Sequence, residues 1–177
     1  MYNKKMVTNN VSKQKTKYFG EVELSIEEDN SWADFDTVYN GQEITVSLSD
    51  FSIYGEQLKL CWDIIDKYES INEIAKKAIA EYFPQKGGIV AYYFECHFDI
   101  LEEDDLLEIF GISTFEKLEI EAVVKKMGHP NLLFGINAKN KELEFSVDYM
   151  ISKEYSDEIL CVKMDSELNV IGFSHES

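Results

Sequence analysis

Arginine is absent: all 17 basic side chains are lysines. The chain therefore lacks the planar fork that grips phosphates and carboxylates through two parallel hydrogen bonds. Cysteine is scarce, and Cys61, Cys96 and Cys161 stand far apart and odd in number. That spacing argues against a disulfide framework and against a Cys-x-x-Cys metal or redox motif. Three histidines occur, none in a His-x-x-x-His or Cys/His pattern, so no zinc site is expected. No apolar run approaches the ~20 residues that cross a bilayer. The opening Met1-Tyr2-Asn3-Lys4-Lys5-Met6 leads into polar sequence with no apolar core, so no secretory signal is expected. A cytoplasmic protein is the natural expectation.

Acid is what the chain has in excess, with 34 acidic groups against 17 lysines. Lys4, Lys5, Lys13, Lys15 and Lys17 fall in residues 1–17, which hold no acid. Residues 18–177 thus carry 34 acids against 12 lysines, a net of −22. Such a body repels nucleic acid, whose affinity comes from neutralising phosphates, and repels anionic membranes for the same reason. The charge favours a basic protein partner or serves solubility alone.

The 177 residues suit one domain, which at this size buries roughly 70% of its unfolded surface. Residues 1–17 lack periodicity and read as a flexible lysine-rich arm, with a single α+β domain over 18–177. Val22, Leu24 and Ile26 alternate with acids and serine, predicting a strand with one buried face. Residues 34–39 predict a second strand, and Ile44, Val46 and Leu48 a third. Asn40-Gly41 between them is a hairpin signal, because both residues tolerate positive φ. Leu58, Cys61, Trp62, Ile65 and Tyr68 then form a helical stripe. Ser70-Ile71-Asn72-Glu73 reads as a capping box opening a second helix that ends at Pro84 and Gly87-Gly88. Ile89, Tyr92, Tyr93, Cys96, His97 and Ile100 mark a third, and Glu102 to Asp105 open a fourth that stops at Gly111. Residues 113–127 predict a brief helical turn and then a strand from about Glu119, closed by Gly128-His129-Pro130-Asn131. The last third, 141–177, reads as a three-stranded antiparallel meander needing a helical cover. Strands, then three to four helices packed on a sheet, then strands again, is the α+β order.

Candidate chemistry is thin. His97 lies on an apolar helical face beside Cys96 and reads as a core or boundary histidine. His129, before a proline, reads as exposed, and His175 lies on the final strand near Glu176. Nothing local supports a Cys–His nucleophile pair, although nearness in space could create one. The acidic runs lack the alternating oxygens and sixth-position glycine of a calcium loop, and Gly87-Gly88 lacks the residues of a phosphate loop. Trp32 is read as a lid on the first sheet, with an interface anchor as the alternative. No catalytic residue, cofactor or metal is assigned.

Phe19-Gly20-Glu21-Val22-Glu23-Leu24, Ile44-Thr45-Val46 and the close, Asp157-Glu158-Ile159-Leu160-Cys161-Val162-Lys163-Met164-Asp165 with Ser174-His175-Glu176-Ser177, resemble a bacterial family. It is an uncharacterised one, domain of unknown function two-thousand-four. The resemblance covers roughly residues 18–177 and carries no catalytic residues. It implies a protein of toxin-immunity neighbourhoods. The expectation is a non-enzymatic acidic binding protein, an immunity protein that neutralises a basic toxin. Glu27, Glu28, Asp29, Glu102, Glu103, Asp104 and Asp105 would steer that basic partner. The alternatives are a small hydrolase using His97 or His175 with a carboxylate, or an acidic subunit of a larger assembly.

Overall fold

A computed structural model of the chain describes residues 10–26, 32–49, 55–85, 87–152 and 154–177. Eight strands form one sheet in sequence order. The first four are β1 (Asn10–Thr16), β2 (Gly20–Ile26), β3 (Trp32–Tyr39) and β4 (Gln42–Ser49). The second four are β5 (Asn131–Ile136), β6 (Leu143–Tyr149), β7 (Ile159–Asp165) and β8 (Val170–Glu176). Neighbours run antiparallel except β4 and β5, which pair in parallel through Val46–Leu132, Ser47–Leu133 and Leu48–Phe134. A parallel pair cannot be closed by a tight turn and needs a long crossover. That crossover contains α1 (Gly55–Ile65), α2 (Tyr68–Tyr82), α3 (Ile89–Ile100), α4 (Glu103–Ile109), a 3-10 turn at Phe115–Lys117 and α5 (Ile120–Lys126). The α+β class, with strands at both ends and helices between, is as expected. The two strand groups are joined into one sheet, larger than separate meanders. No described helix is long and apolar enough to cross a membrane.

Alternation decides which face the helices cover. Val22 and Leu24, Ala33 and Phe35, Ile44, Val46 and Leu48 turn the same way as Leu132 and Phe134, and as Phe145, Val147 and Tyr149. These join Ile64, Tyr68, Ile71, Ile79, Phe94, Leu106 and Val123 from the helices in one hydrophobic core. The other set of strand side chains takes no part in that core. Buried tyrosine hydroxyls tie sheet to helices within it: Tyr68 donates to the Pro130 carbonyl (2.6 Å), Tyr93 to the Tyr149 carbonyl (3.4 Å), and Tyr149 to Asn72 Oδ1 (2.7 Å).

Five expectations need correction. Residues 10–16 of the supposed arm form β1, paired along its length with β2; residues 1–9 lie outside the described part. Lys13 reaches Glu23 (2.7 Å), so the lysines are the complement of an acidic strand, and they also guard an edge against unwanted pairing. Ser70 does not cap a helix: α2 already runs from Tyr68, whose buried ring fixes the start two residues earlier. On α3 the buried face is Val90, Tyr93, Phe94 and His97, one residue out of phase with the predicted stripe, leaving Ile89, Tyr92 and Ile100 exposed. The strand expected from Glu119 is helix α5. Ile120, Val123, Val124 and Met127 are buried at helical spacing, and that periodicity outweighs the short alternation. Finally, β5 was not anticipated, because Leu132, Leu133 and Phe134 form an apolar run without clear alternation. The Asn40-Gly41 hairpin holds, with φ of 50° and 81°.

Candidate functional site

The acidic positions of the strands reach the face that the described helices leave uncovered, whereas Thr37 and His175 turn inward. Antiparallel sheets often present one face to water, and here it is acidic. Glu21 and Glu23 on β2, Asp34 and Asp36 on β3, and Glu43 on β4 lie on the first half. Glu144 and Asp148 on β6, Asp165 on β7 and Glu176 on β8 lie on the second. Lys13 and Lys15 lie at one edge, and Lys163 stands among the acids on β7. Among them stand Ser25, Ser47, Ser49, Gly135, Ser146 and Ser174, together with Thr45 and Leu133. Glu144 and Asp165 are directly opposite each other across β6 and β7. Like charges in that relation destabilise a sheet. Trp32 stands on this face too, half-buried, its indole N–H donating to Asp34 Oδ2 (3.1 Å), and is not a lid over the core.

Two carboxylates of this face are tuned in opposite directions. Asp148, near the middle of the second half, is largely removed from water, and burial pushes its pKa up. The Ser146 hydroxyl, the Cys161 thiol and the Lys163 charge oppose that rise without cancelling it. Its Oδ1 is buried without a hydrogen-bond partner. Asp165 is lowered instead. Burial works against ionisation there too, but the Asn169 amide and the backbone N–H groups of Asn169 and Glu167 outweigh it. Asp165 is thus a fixed negative charge, whereas Asp148 is drawn towards the neutral acid.

A cleft of about 380 Å³ opens where β4 and β5 diverge, lined among others by Gln42, Gly128, His129, Asn131 and Asp148. The Gln42 amide builds its floor by standing in for a strand residue. Its Nε2–H donates to the His129 carbonyl (2.6 Å), and its Oε1 accepts from the His129 N–H (2.7 Å). At Gly128 a Cβ would lie 2.4 Å from Gln42 Oε1, so any larger residue would push the Gln42 amide aside. His129 is half-buried, its ring edge-on to Tyr39 at 4.9 Å, and not simply exposed as expected. Its Nδ1 is buried without a hydrogen-bond partner, and its Nε2 lies 3.3 Å from Asn40 Nδ2, which can only donate, so Nε2 is the accepting nitrogen.

Of the acids singled out by sequence, Glu27, Glu28 and Asp29 lie outside the described residues. Glu102, Glu103 and Asp104 are exposed and Asp105 half-buried at the start of α4, where carboxylates offset the positive end of the helix. The α4 acids belong to the helical side, opposite the acidic sheet face. The acids of the sheet were missed because no two are adjacent in sequence. Their signal was charge recurring at every second residue of successive strands.

The two remaining histidines lie under the helices. His97 is fully buried, as expected, and burial lowers its pKa. Its Nδ1 lies 2.7 Å from the Tyr93 carbonyl, which can only accept, so the proton is on Nδ1. His175 on β8 bonds through Nε2 to Glu158 Oε2, just before β7. Cys96 completes this group: its Sγ, Glu158 and His175 all lie within 4.8 Å of one another. A thiol, a carboxylate and an imidazole are metal-ligating types, gathered here from a helix, a loop and a strand. Comparison with protein-family models, curated proteins and solved structures finds no match to this chain.

Proposed function

We propose that this chain is a non-enzymatic acidic binding protein that docks a basic protein partner on the uncovered face of its sheet, as an immunity protein neutralising a basic toxin would. The observation that carries the reading is the excess of acid over lysine on this face. Acids stand on β2, β3, β4, β6, β7 and β8, and Glu144 faces Asp165 across strands with no basic residue between them. A sheet needing only solubility gains nothing from opposing like charges directly. A lysine-rich partner would relieve that repulsion, and the shared field would speed encounter. Short serine side chains between the acids let a partner approach the sheet closely.

The test is a pull-down from lysate of the source cell at low and at high salt, with the captured protein identified and its stoichiometry measured. A basic partner at one-to-one stoichiometry, released by salt, is expected. Replacing Asp34, Asp36 and Glu43 by their amides should abolish capture, while amides at Glu102, Glu103 and Asp104 should leave it intact. No partner at either salt, or loss only with the α4 variants, overturns the reading.

A hydrolase would rest on His175, paired with Glu158. Burial first, then the charges of Glu158 and Asp99, push the neighbouring Cys96 thiol up to about 11, the reverse of an activated nucleophile.

A further inference from the structure

We propose that Cys96, Glu158 and His175 form a binding site for one divalent transition-metal ion of the zinc type, separate from the acidic sheet face. The three donors come from α3, from the segment leading into β7, and from β8, elements packed on one another. His175 faces the helices because it pairs with buried Leu160. Tetrahedral zinc, with bonds of about 2.0–2.3 Å, places its ligand atoms roughly 3.3–3.7 Å apart. The three donor atoms lie within 4.8 Å of one another, close to that spacing.

The donor set selects the ion. One thiolate and one imidazole suit zinc and its cobalt substitute, and disfavour magnesium and calcium, which take oxygen. Thiolate and carboxylate together cancel the charge of a dication, which fits a half-buried position against the rings of Tyr92 and Tyr93. Backbone bonding also survives occupation. Cys96 Sγ now donates to the Tyr93 carbonyl (2.9 Å), a bond lost when the thiol gives its proton to solvent and binds metal. The same carbonyl keeps the His97 Nδ1–H (2.7 Å), so the Tyr93 oxygen is not orphaned. Three protein ligands leave a fourth position for water. The sequence conceals this site because its ligands are 62 and 17 residues apart and follow no motif.

Chelator-treated protein titrated with cobalt(II) tests the proposal. Expected are one-to-one binding, the intense visible bands of tetrahedral cobalt and a thiolate charge-transfer band, all removed by one equivalent of zinc. Cys96→Ser should remove the charge-transfer band, while Cys61→Ser and Cys161→Ser keep it. Glu158→Gln and His175→Asn should each weaken zinc by at least about tenfold. The weak spectrum of octahedral aquo-cobalt with wild-type protein overturns the proposal, as does a charge-transfer band that persists in Cys96→Ser. If Cys96→Ser does not fold, wild-type binding with unchanged affinity in both Glu158→Gln and His175→Asn overturns it equally.

Discussion

The two faces of the sheet are written by the same strands, one residue apart, and do different work. On β6, Leu143, Phe145, Val147 and Tyr149 enter the core while Glu144, Ser146 and Asp148 face away from it. A one-residue slip would exchange the two sets, so the apolar positions set register and the polar ones are carried along by it. The covered face is where stability resides. The uncovered face can vary in chemistry with less cost to the fold, because few of its side chains are packed in the core.

The largest expected effect breaks the covered face. Phe134 is fully buried and stacks on Phe145 with ring centroids 5.2 Å apart, beside the parallel seam. Phe134→Ala should cost about 3–5 kcal/mol through lost burial and an unfilled cavity. Urea unfolding measures it; a loss below about 1 kcal/mol would mean that the seam is not core.

Asp148 sharpens the comparison, because it is a buried group on the uncovered face. Its folded pKa lies above the unfolded value, so the native state holds the proton to higher pH than the unfolded chain does. Stability contributed this way is present at acid pH and lost as pH rises from the ordinary carboxylate range, about 3.9, through the folded pKa. Asp148→Asn should therefore stabilise at neutral pH by about 1–3 kcal/mol, with the gain shrinking to nothing below about pH 4. Thermal melts of both proteins across pH decide it. A destabilised variant at pH 7 would show that the carboxylate is needed in its charged form.

Much of this architecture was legible in the sequence, for identifiable reasons. Strict alternation at 22–26, 44–48 and 143–149 has no helical alternative, and Asn40-Gly41 leaves little choice of turn. The failures came where local signals compete. Ile120, Ala122 and Val124 alternate and Ile120, Val123 and Val124 also fit a helix; only the surface offered by α2 and the rest of the core decides between them. Lys13 and Lys15 looked like an arm because their partners, Glu23 and Glu21, are supplied by the next strand. The candidate sites were less legible still. The acidic face and the Cys96–Glu158–His175 group are both assembled by strand pairing and helix docking, which no spacing rule over one segment can report.

A smaller effect separates packing from hydrogen bonding on the covered face. Tyr149 fills core volume and also donates to Asn72 Oδ1 (2.7 Å), joining β6 to α2. Tyr149→Phe keeps the ring and leaves the Asn72 oxygen unsatisfied, so about 1–2 kcal/mol should be lost in urea unfolding. The loss should be well below that of Phe134→Ala, because the ring stays in place.

The smallest effect in stability belongs to the pair that best expresses the uncovered face. Glu144 and Asp165 oppose each other across β6 and β7, and Asp165 is held ionised by the turn that it caps. Glu144→Gln keeps the bond from Asn137 Nδ2, since an amide oxygen accepts as a carboxylate does, and removes one of the two like charges. Stability should change by no more than about 0.5 kcal/mol, in the stabilising direction, and the gain should shrink as salt screens the repulsion. Affinity for a basic partner should fall. A substitution that improves the fold while weakening the complex would locate the cost of the acidic face in the free protein and its return in the bound one. A clear loss of stability would instead make the face structural and leave the partner to be sought elsewhere.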